Sequence, residues 1–345
     1  MDSFIKIKSD DQRAYFEQAE DRLRLPAASI EKDFWVCWTL NKLFELPIWG
    51  VNLTFKGGTS LSKAWGLIKR FSEDIDIVVS RDFLGFGEED SPAKATSKKK
   101  RRMRLGSLKE ACCERIQNEL RPAIEENFRD ILPEKARWSL EIASTEDDPD
   151  GQTLIFKYPG ILKRNFKYLL PQVKIEFGAR SDTWPTESPV IQPYLAKAFP
   201  NVLTKDNFIV KAIAPERTFW EKAMLLHEET FRPVTKVRKA RLARHYYDLW
   251  CLIENGVAER AINAELFNSV AEHRAIFFNQ NWVNYNSLRP GSLRIVPLDN
   301  QLTDWKRDYK SMQIEMFFGE VPDFEEVLRV VKDFQDNFNR ISIEK

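Results

Sequence analysis

Apolar positions along the chain follow two periods. In SIEKDFWVCWTLNKLFEL, residues 29–46, Val36, Cys37, Leu40, Leu43 and Phe44 share one side of a 3.6-residue repeat, which predicts a helix. Ser29 is placed to cap it, with Lys32 in the slot where a capping box wants a glutamate. Residues 10–24 predict an earlier helix, parted from this one by LPAA. The period then drops to two. VNLTFK (51–56) and DIDIVV (74–79) predict strands, and TSLSKAWGLIKRF (59–71) predicts a helix between them through Leu61, Ala64, Trp65 and Ile68. Residues 81–106 carry no period and read as a loop or mobile insertion. LGSLKEACCERIQNELRPAIEENF (105–128) returns to helix, and WSLEIAST, QTLIFKYP, PQVKIEFGAR and NFIVKAI read as strands. From Pro215 the pattern is helical: PERTFWEKAMLLHEE (215–229) with proline in its first turn, KARLARHYYDLWCLIENG (239–256) closed by Gly256, and PDFEEVLRVVKDFQDNFNRI (322–341). The expected outline is an α/β domain over residues 1–212, then a mostly helical domain over 213–345.

Composition narrows the function classes. With 345 residues and 43% hydrophobic content the chain can bury a full core. Its 53 basic and 52 acidic side chains leave a net charge of +1, so a nucleic-acid partner must be held by a local patch rather than by bulk charge. Four cysteines show no disulfide or zinc spacing. MDSFIKIKSDDQRAYF has no secretory pattern, and no apolar run approaches the ~20 residues that cross a bilayer. A soluble, cytoplasmic protein without a membrane partner is expected.

Chemistry concentrates in TFKGGTSLSKAWGLIKRFSEDIDIVV, residues 54–79. On a strand, Asp74, Asp76 and Val78 face one way and Ile75, Ile77 and Val79 the other. Two adjacent carboxylates repel, and a divalent cation removes that cost; Mg²⁺ prefers carboxylate and water oxygens. In VKIEFGAR, Glu176 likewise lies opposite an apolar face formed by Val173, Ile175 and Phe177. If the two strands are neighbours, three carboxylates converge on a pair of metal ions. The bland alternative is a Lys174/Glu176 face turned to water. Gly57 and Gly58 stand between strand and helix, where backbone amides and the hydroxyls of Thr59 and Ser60 can hold a phosphate. An ordinary turn with Thr59 or Ser60 as N-cap is the competing reading. Arg70 and Ser72 either contact phosphate or support the turn. His227, His245 and His273 show no metal-ligand spacing and read as ordinary helix residues. The basic run Lys98–Arg104 reads as a solvated segment, with a phosphate-tracking arm as the alternative; Lys236, Arg238, Lys239, Arg241 and Arg244 form a second basic cluster.

The stretch resembles the signature of the DNA polymerase β-like nucleotidyltransferase superfamily, and more narrowly the AbiEii/AbiGii toxin nucleotidyltransferases with their GGT-L…RFSEDID core. ERTFWEKAMLLHEE is similar to that family's lysine-bearing helix and points to Lys222. RHYYDLW is similar to its Arg/His-x-x-Asp helix and points to Asp248; IEKDFWV also matches. The blocks span roughly residues 28–255. The resemblance implies a nucleotidyltransferase core with a mixed sheet and a helical C-terminal domain. It implies catalytic roles for Asp74, Asp76, Glu176, Lys222 and Asp248, with Asp74, Asp76 and Glu176 as metal ligands. Gly57, Gly58, Thr59, Ser60, Arg70, Ser72 and Lys222 would meet a nucleoside triphosphate. Transfer of a nucleoside monophosphate to RNA, foremost tRNA, by a toxin of a toxin–antitoxin or phage-defence pair follows, with Mg²⁺ and a cognate antitoxin as companions. Two rivals remain: transfer to a protein such as the antitoxin, and a non-catalytic nucleotide- or RNA-binding module.

Overall fold

A computed structural model of the chain describes residues 1–70, 72, 74–162, 170–315, 317 and 321–340. Phe71 and Glu73 of the RFSEDID stretch, and Ile341 at the end of the last expected helix, lie outside them. The chain divides into two compact units: Met1–Ala64 with Glu73–Ala212, and Trp65–Ser72 with Ile213–Lys345. The second unit therefore takes an early excursion of the chain as well as its C-terminal part, so a cut after residue 212 alone does not separate the two.

The first unit opens with helices α1 (Asp2–Ile5), α2 (Ser9–Leu23) and α3 (Ala27–Glu45), then β1 (Leu53–Lys56), α4 (Gly57–Lys63) and β2 (Ile75–Val79). Next come α5 (Lys98–Arg115), a π-helical turn (Ile116–Leu120) and α6 (Arg121–Ile131). Strands β3 (Ser139–Ile142), β4 (Thr153–Lys157), β5 (Gln172–Gly178), β6 (Thr186–Glu187) and β7 (Val190–Ile191), helix α7 (Tyr194–Ala198), and strands β8 (Phe208–Ile209) and β9 (Ala212–Ile213) complete it. Seven strands form one mixed sheet in the order β3-β4-β5-β2-β1-β9-β6, while β7 and β8 pair separately. Strand β2 is antiparallel to β1 and parallel to β5.

Alternation decides which face of this sheet is core. Phe55 pairs with Ile77, Ile75 with Ile175 and Leu154 with Ile175, all fully buried. Trp38 packs against Phe128 of α6 at 4.6 Å, and Phe128 against Phe156 of β4 at 4.7 Å. Each such ring contributes about 1.5–3 kcal/mol by leaving water, which is why α3 is buried along nearly its whole length.

Several expected boundaries move, each for a local reason. Helix α3 starts at Ala27 behind Pro26, and the Ala27 N–H donates to the Glu20 carboxylate at 2.9 Å, so Ser29 is not its cap. Helix α4 stops at Lys63, with Ala64 as its C-cap, rather than running to residue 71, and the chain then turns left-handed at Gly66, φ 65°. The basic run at Lys98 is not a loop but the first turns of α5, capped by the Ser97 hydroxyl, which accepts the Lys100 N–H. The π turn sits just before Pro122, which has no N–H for the α-helical ladder. NFIVKAI becomes two short strands in different sheets.

The second unit is helical: α8 (Pro215–Thr230), α9 (Arg244–Glu254), α10 (Val257–Ala261), α11 (Ala264–Phe277), α12 (Asp299–Glu315) and α13 (Phe324–Arg340). Trp220 of α8 is its centre, 4.8 Å from Phe267 and 4.9 Å from Phe338, with its indole N–H donated to the Ala261 carbonyl. Gly256 follows α9 at φ 69°, the left-handed position its sequence placement predicts.

Candidate active site

The polar face of the sheet carries one cross-strand row. Lys56 pairs with Asp76, Asp76 with Glu176, and Glu176 with Thr153, across β1, β2, β5 and β4. Asp76 and Glu176 are thus direct neighbours on the same face, both half-buried. Asp74 precedes the first paired residue of β2, and its carbonyl accepts the Thr59 hydroxyl at 2.6 Å. Lys174, two residues before Glu176 and on its face, forms an ion pair with it. Burial opposes the charge on Lys174, yet Glu176, Asp74 and Asp76 together raise its pKa above the ordinary lysine value. All three predicted acids therefore act on one ammonium group.

The glycine corner closes on the same acids. Gly57 has φ 80°, and a Cβ built on it would lie 1.9 Å from Asp76 Oδ2. Only a residue without a side chain lets the carboxylate rest against this backbone. Thr59 and Ser60 are fully buried; Thr59 Oγ1 donates to the Asp74 carbonyl and Ser60 Oγ to the Gly57 carbonyl at 3.0 Å. Neither caps α4, whose N-cap residue is Lys56. Their hydroxyls instead hold the turn and the acidic segment in fixed relation, with Gly58 half-buried beside Gly57. Lys56 Nζ donates to Ser181 Oγ at 2.7 Å.

The second unit gathers Arg70 and Lys222 around Asp248. Arg70 grips its carboxylate with Nε at 2.7 Å and a terminal nitrogen at 2.8 Å, and Lys222 Nζ approaches it at 2.8 Å. Asp248 is fully buried, Arg70 4% exposed and Lys222 7% exposed. Burial by itself raises a carboxyl, but Arg70 and Lys222 hold Asp248 well below the usual carboxylate range. Burial lowers the Lys222 pKa, against the pull of Asp248 and with the help of Arg70. Lys222 is thus a buried helix lysine, and the partners of Asp248 come from α8 and from Arg70. Arg241, expected in the second basic cluster, lies before α9 at φ 63°. His245 Nδ1 stands 3.5 Å from Lys222 Nζ, and desolvation together with Lys222 and Arg244 pushes its pKa well down. Ser72 is half-buried in this unit.

A match to a family model now joins this geometry: "Nucleotidyl transferase AbiEii toxin, Type IV TA system", over residues 38–330. The chain belongs to the AbiEii nucleotidyltransferase toxin family. An AbiEii-family protein is an enzyme, the toxin of a type IV toxin–antitoxin system, and the mixed sheet followed by helices is the architecture expected for it. Among solved structures, MenT4, a nucleotidyltransferase toxin from Mycobacterium tuberculosis H37Rv, superposes with a TM-score of 0.52 at 17% identity, over 99% of this chain and 91% of that one. This likeness is one of fold. No curated protein sequence matches the chain significantly. No described helix is long and apolar enough to cross a membrane.

The carboxylates suit a hard divalent cation. Among the described residues no three His, Cys, Asp or Glu side chains form a ready-made metal cluster. Mg²⁺ does not require one, since it keeps several waters and binds through one or two carboxylates plus substrate phosphates. Asp76 and Glu176, with Asp74 two residues before Asp76, fit that donor set. Sequence reasoning missed Thr153 and Lys56 as members of the row, because cross-strand register is invisible in one strand alone. It also missed Lys174 as the counter-ion, although alternation already put Lys174 on the face of Glu176.

Proposed function

We propose that this toxin transfers a nucleoside monophosphate from a nucleoside triphosphate to a hydroxyl of RNA, with tRNA as the foremost acceptor, in the cytoplasm and with Mg²⁺. The observation that carries the reading is the register pair Asp76–Glu176 lying against Gly57. The acceptor oxygen attacks the α-phosphorus, a new P–O bond forms, and the bond to the β-phosphate's bridging oxygen breaks to release pyrophosphate. The hydroxyl proton passes to Glu176, which is ion-paired with Lys174.

Asp74 and Asp76, with Glu176, would hold the metal ions, which supply charge neutralisation for the phosphates when bound. Gly57 and Gly58 offer backbone that a phosphate can approach closely, while Thr59 and Ser60 fix the shape of that turn. Lys222, Arg70 and Asp248 form a cluster rich in positive charge, suited to anionic phosphate groups, with Asp248 orienting the two cations and Ser72 beside Arg70 in sequence. Catalysis rests on positioning and charge stabilisation rather than on a covalent enzyme intermediate.

The test is incubation with Mg²⁺, total RNA and each α-labelled triphosphate in turn, beside an Asp76→Ala control. Label in an RNA band that the control lacks supports the proposal. Label confined to a protein band transfers the activity to a protein acceptor, and equal growth inhibition by the Asp76→Ala protein would return the chain to a binding module.

A further inference from the structure

The second unit holds a depression of about 480 Å³ between the loop after α8 and helix α12. Five cations line it, Arg232, Lys236, Arg238, Lys239 and Arg307, against two acids, Asp304 and Asp308. Both acids are engaged internally. Asp304 pairs with Arg307 at 2.6 Å, and Asp308 accepts the backbone N–H groups of Arg241 at 2.6 Å and Ala243 at 2.8 Å, fixing the approach to α9. Glu229, behind the loop, clasps Arg232 with two bonds of 2.6 Å and reaches Arg238 at 3.3 Å.

The lysines are held differently. Lys236 Nζ sits 4.0 Å from the centre of the Trp282 ring, and neither Lys236 nor Lys239 has a carboxylate partner among the described residues. Arg238 likewise stacks over Trp305 at 4.0 Å. An aromatic face orients a cation without cancelling its charge. In a chain whose net charge is only +1, Lys236 and Lys239 thus bring two cations without a carboxylate partner into one hollow, beside three paired arginines.

We infer that this depression binds the phosphate backbone of the RNA acceptor, with Lys236 and Lys239 as its principal contacts. The inference rests on the nucleotidyl-transfer reading for the identity of the polyanion, but not for the existence of the site. A polypeptide partner would need an apolar anchor in a desolvated hollow. Here the aliphatic lining is Val234 and Val237, 89% and 93% exposed, with Pro233 and Ala240, against five cations. A concentration of cationic side chains is the character of a nucleic-acid interface. The site also abuts the start of α9 through Asp308, so occupancy bears on the helix that presents Asp248.

The test measures binding of a fluorescein-labelled RNA hairpin with a single-stranded 3′ tail, by anisotropy across a salt series and without any triphosphate. The wild-type protein is compared with Lys236→Ala/Lys239→Ala and with Lys6→Ala/Lys8→Ala, a charge-matched change at two exposed lysines elsewhere. The first double variant should weaken binding about tenfold and reduce the slope of log affinity against log salt by about two, one per lost phosphate contact. The second should match the wild type. Unchanged affinity and slope in the first variant, or equal weakening in both, overturns the inference. So does displacement of the RNA by polyglutamate at equal concentration of charge, which would assign the hollow to an acidic polypeptide. Because no transfer is measured, a protein that binds RNA here yet labels none would leave this site standing and remove the activity proposed above.

Discussion

Gly57 has no room for a side chain. Its left-handed backbone and the Asp76 carboxylate, 1.9 Å from where a Cβ would be, both forbid one. Gly57→Ala should displace the acid by about an ångström and lower kcat on the order of 100-fold, while the melting temperature falls by only a few degrees. Steady-state transfer assays with a parallel melt check this; an active Gly57→Ala enzyme would mean that the acid need not lie against the turn. Asp248 poses the opposite problem, a charge that cannot be removed. Asp248→Asn leaves Arg70 and Lys222 buried without their shared counter-charge and should cost about 3–5 kcal/mol in urea denaturation. His227 is fully buried, accepts the Arg294 N–H at 3.0 Å, and is pushed down to about 4 by desolvation and the Arg294 charge. It stays neutral in the folded state, so its contribution is complete above the unfolded value near 6.5 and is lost as pH falls toward 4. The wild type should lose about 3 kcal/mol through this group over that window, and His227→Gln should show a correspondingly flatter pH dependence.

At the scale of elements, the short α4 depends on a neighbour for its placement. Lys63 in its last turn forms a buried ion pair with Asp33 of α3, whose other oxygen accepts the Tyr194 N–H at 2.7 Å. Lys63 also lies over the Tyr194 ring at 3.8 Å. Asp33→Ala should therefore destabilise by about 3–5 kcal/mol, and Asp33→Asn, which keeps one acceptor, should lose less; chemical denaturation ranks the two. The IEKDFWV block thus has a physical reason for its charged residues inside a buried helix. The sequence made the alternation of 74–79 and 173–177 readable, and with it the face of each acid. It did not contain the register that sets Asp76 beside Glu176, because parallel pairing links strands about 100 residues apart without a turn to fix it. The end of α4 is hidden for a related reason: the apolar positions Trp65 and Ile68 continue the helical period but belong to the second unit, which the chain enters at Trp65.

For the whole molecule, that excursion has a consequence. Arg70 and Asp248 are 178 residues apart in sequence, yet both belong to the helical unit. A fragment of residues 213–345 keeps the buried carboxylate and loses the guanidinium that satisfies it. Expressed alone, it should show no cooperative thermal transition by circular dichroism, whereas a fragment that folded with native-like cooperativity would show that the 65–72 segment is dispensable. Pattern reading placed the change from mixed to helical structure near residue 212 but had no means to see a return contribution of eight residues, since contacts this distant leave no local period. The central claim concerns one oxygen-rich face in the first unit. Its most direct measurement is transfer from α-labelled triphosphate to RNA by Glu176→Gln, which keeps the shape of the side chain and removes its charge. The account predicts loss of at least about 100-fold in kcat with the fold and RNA affinity intact; transfer at the wild-type rate would contradict it.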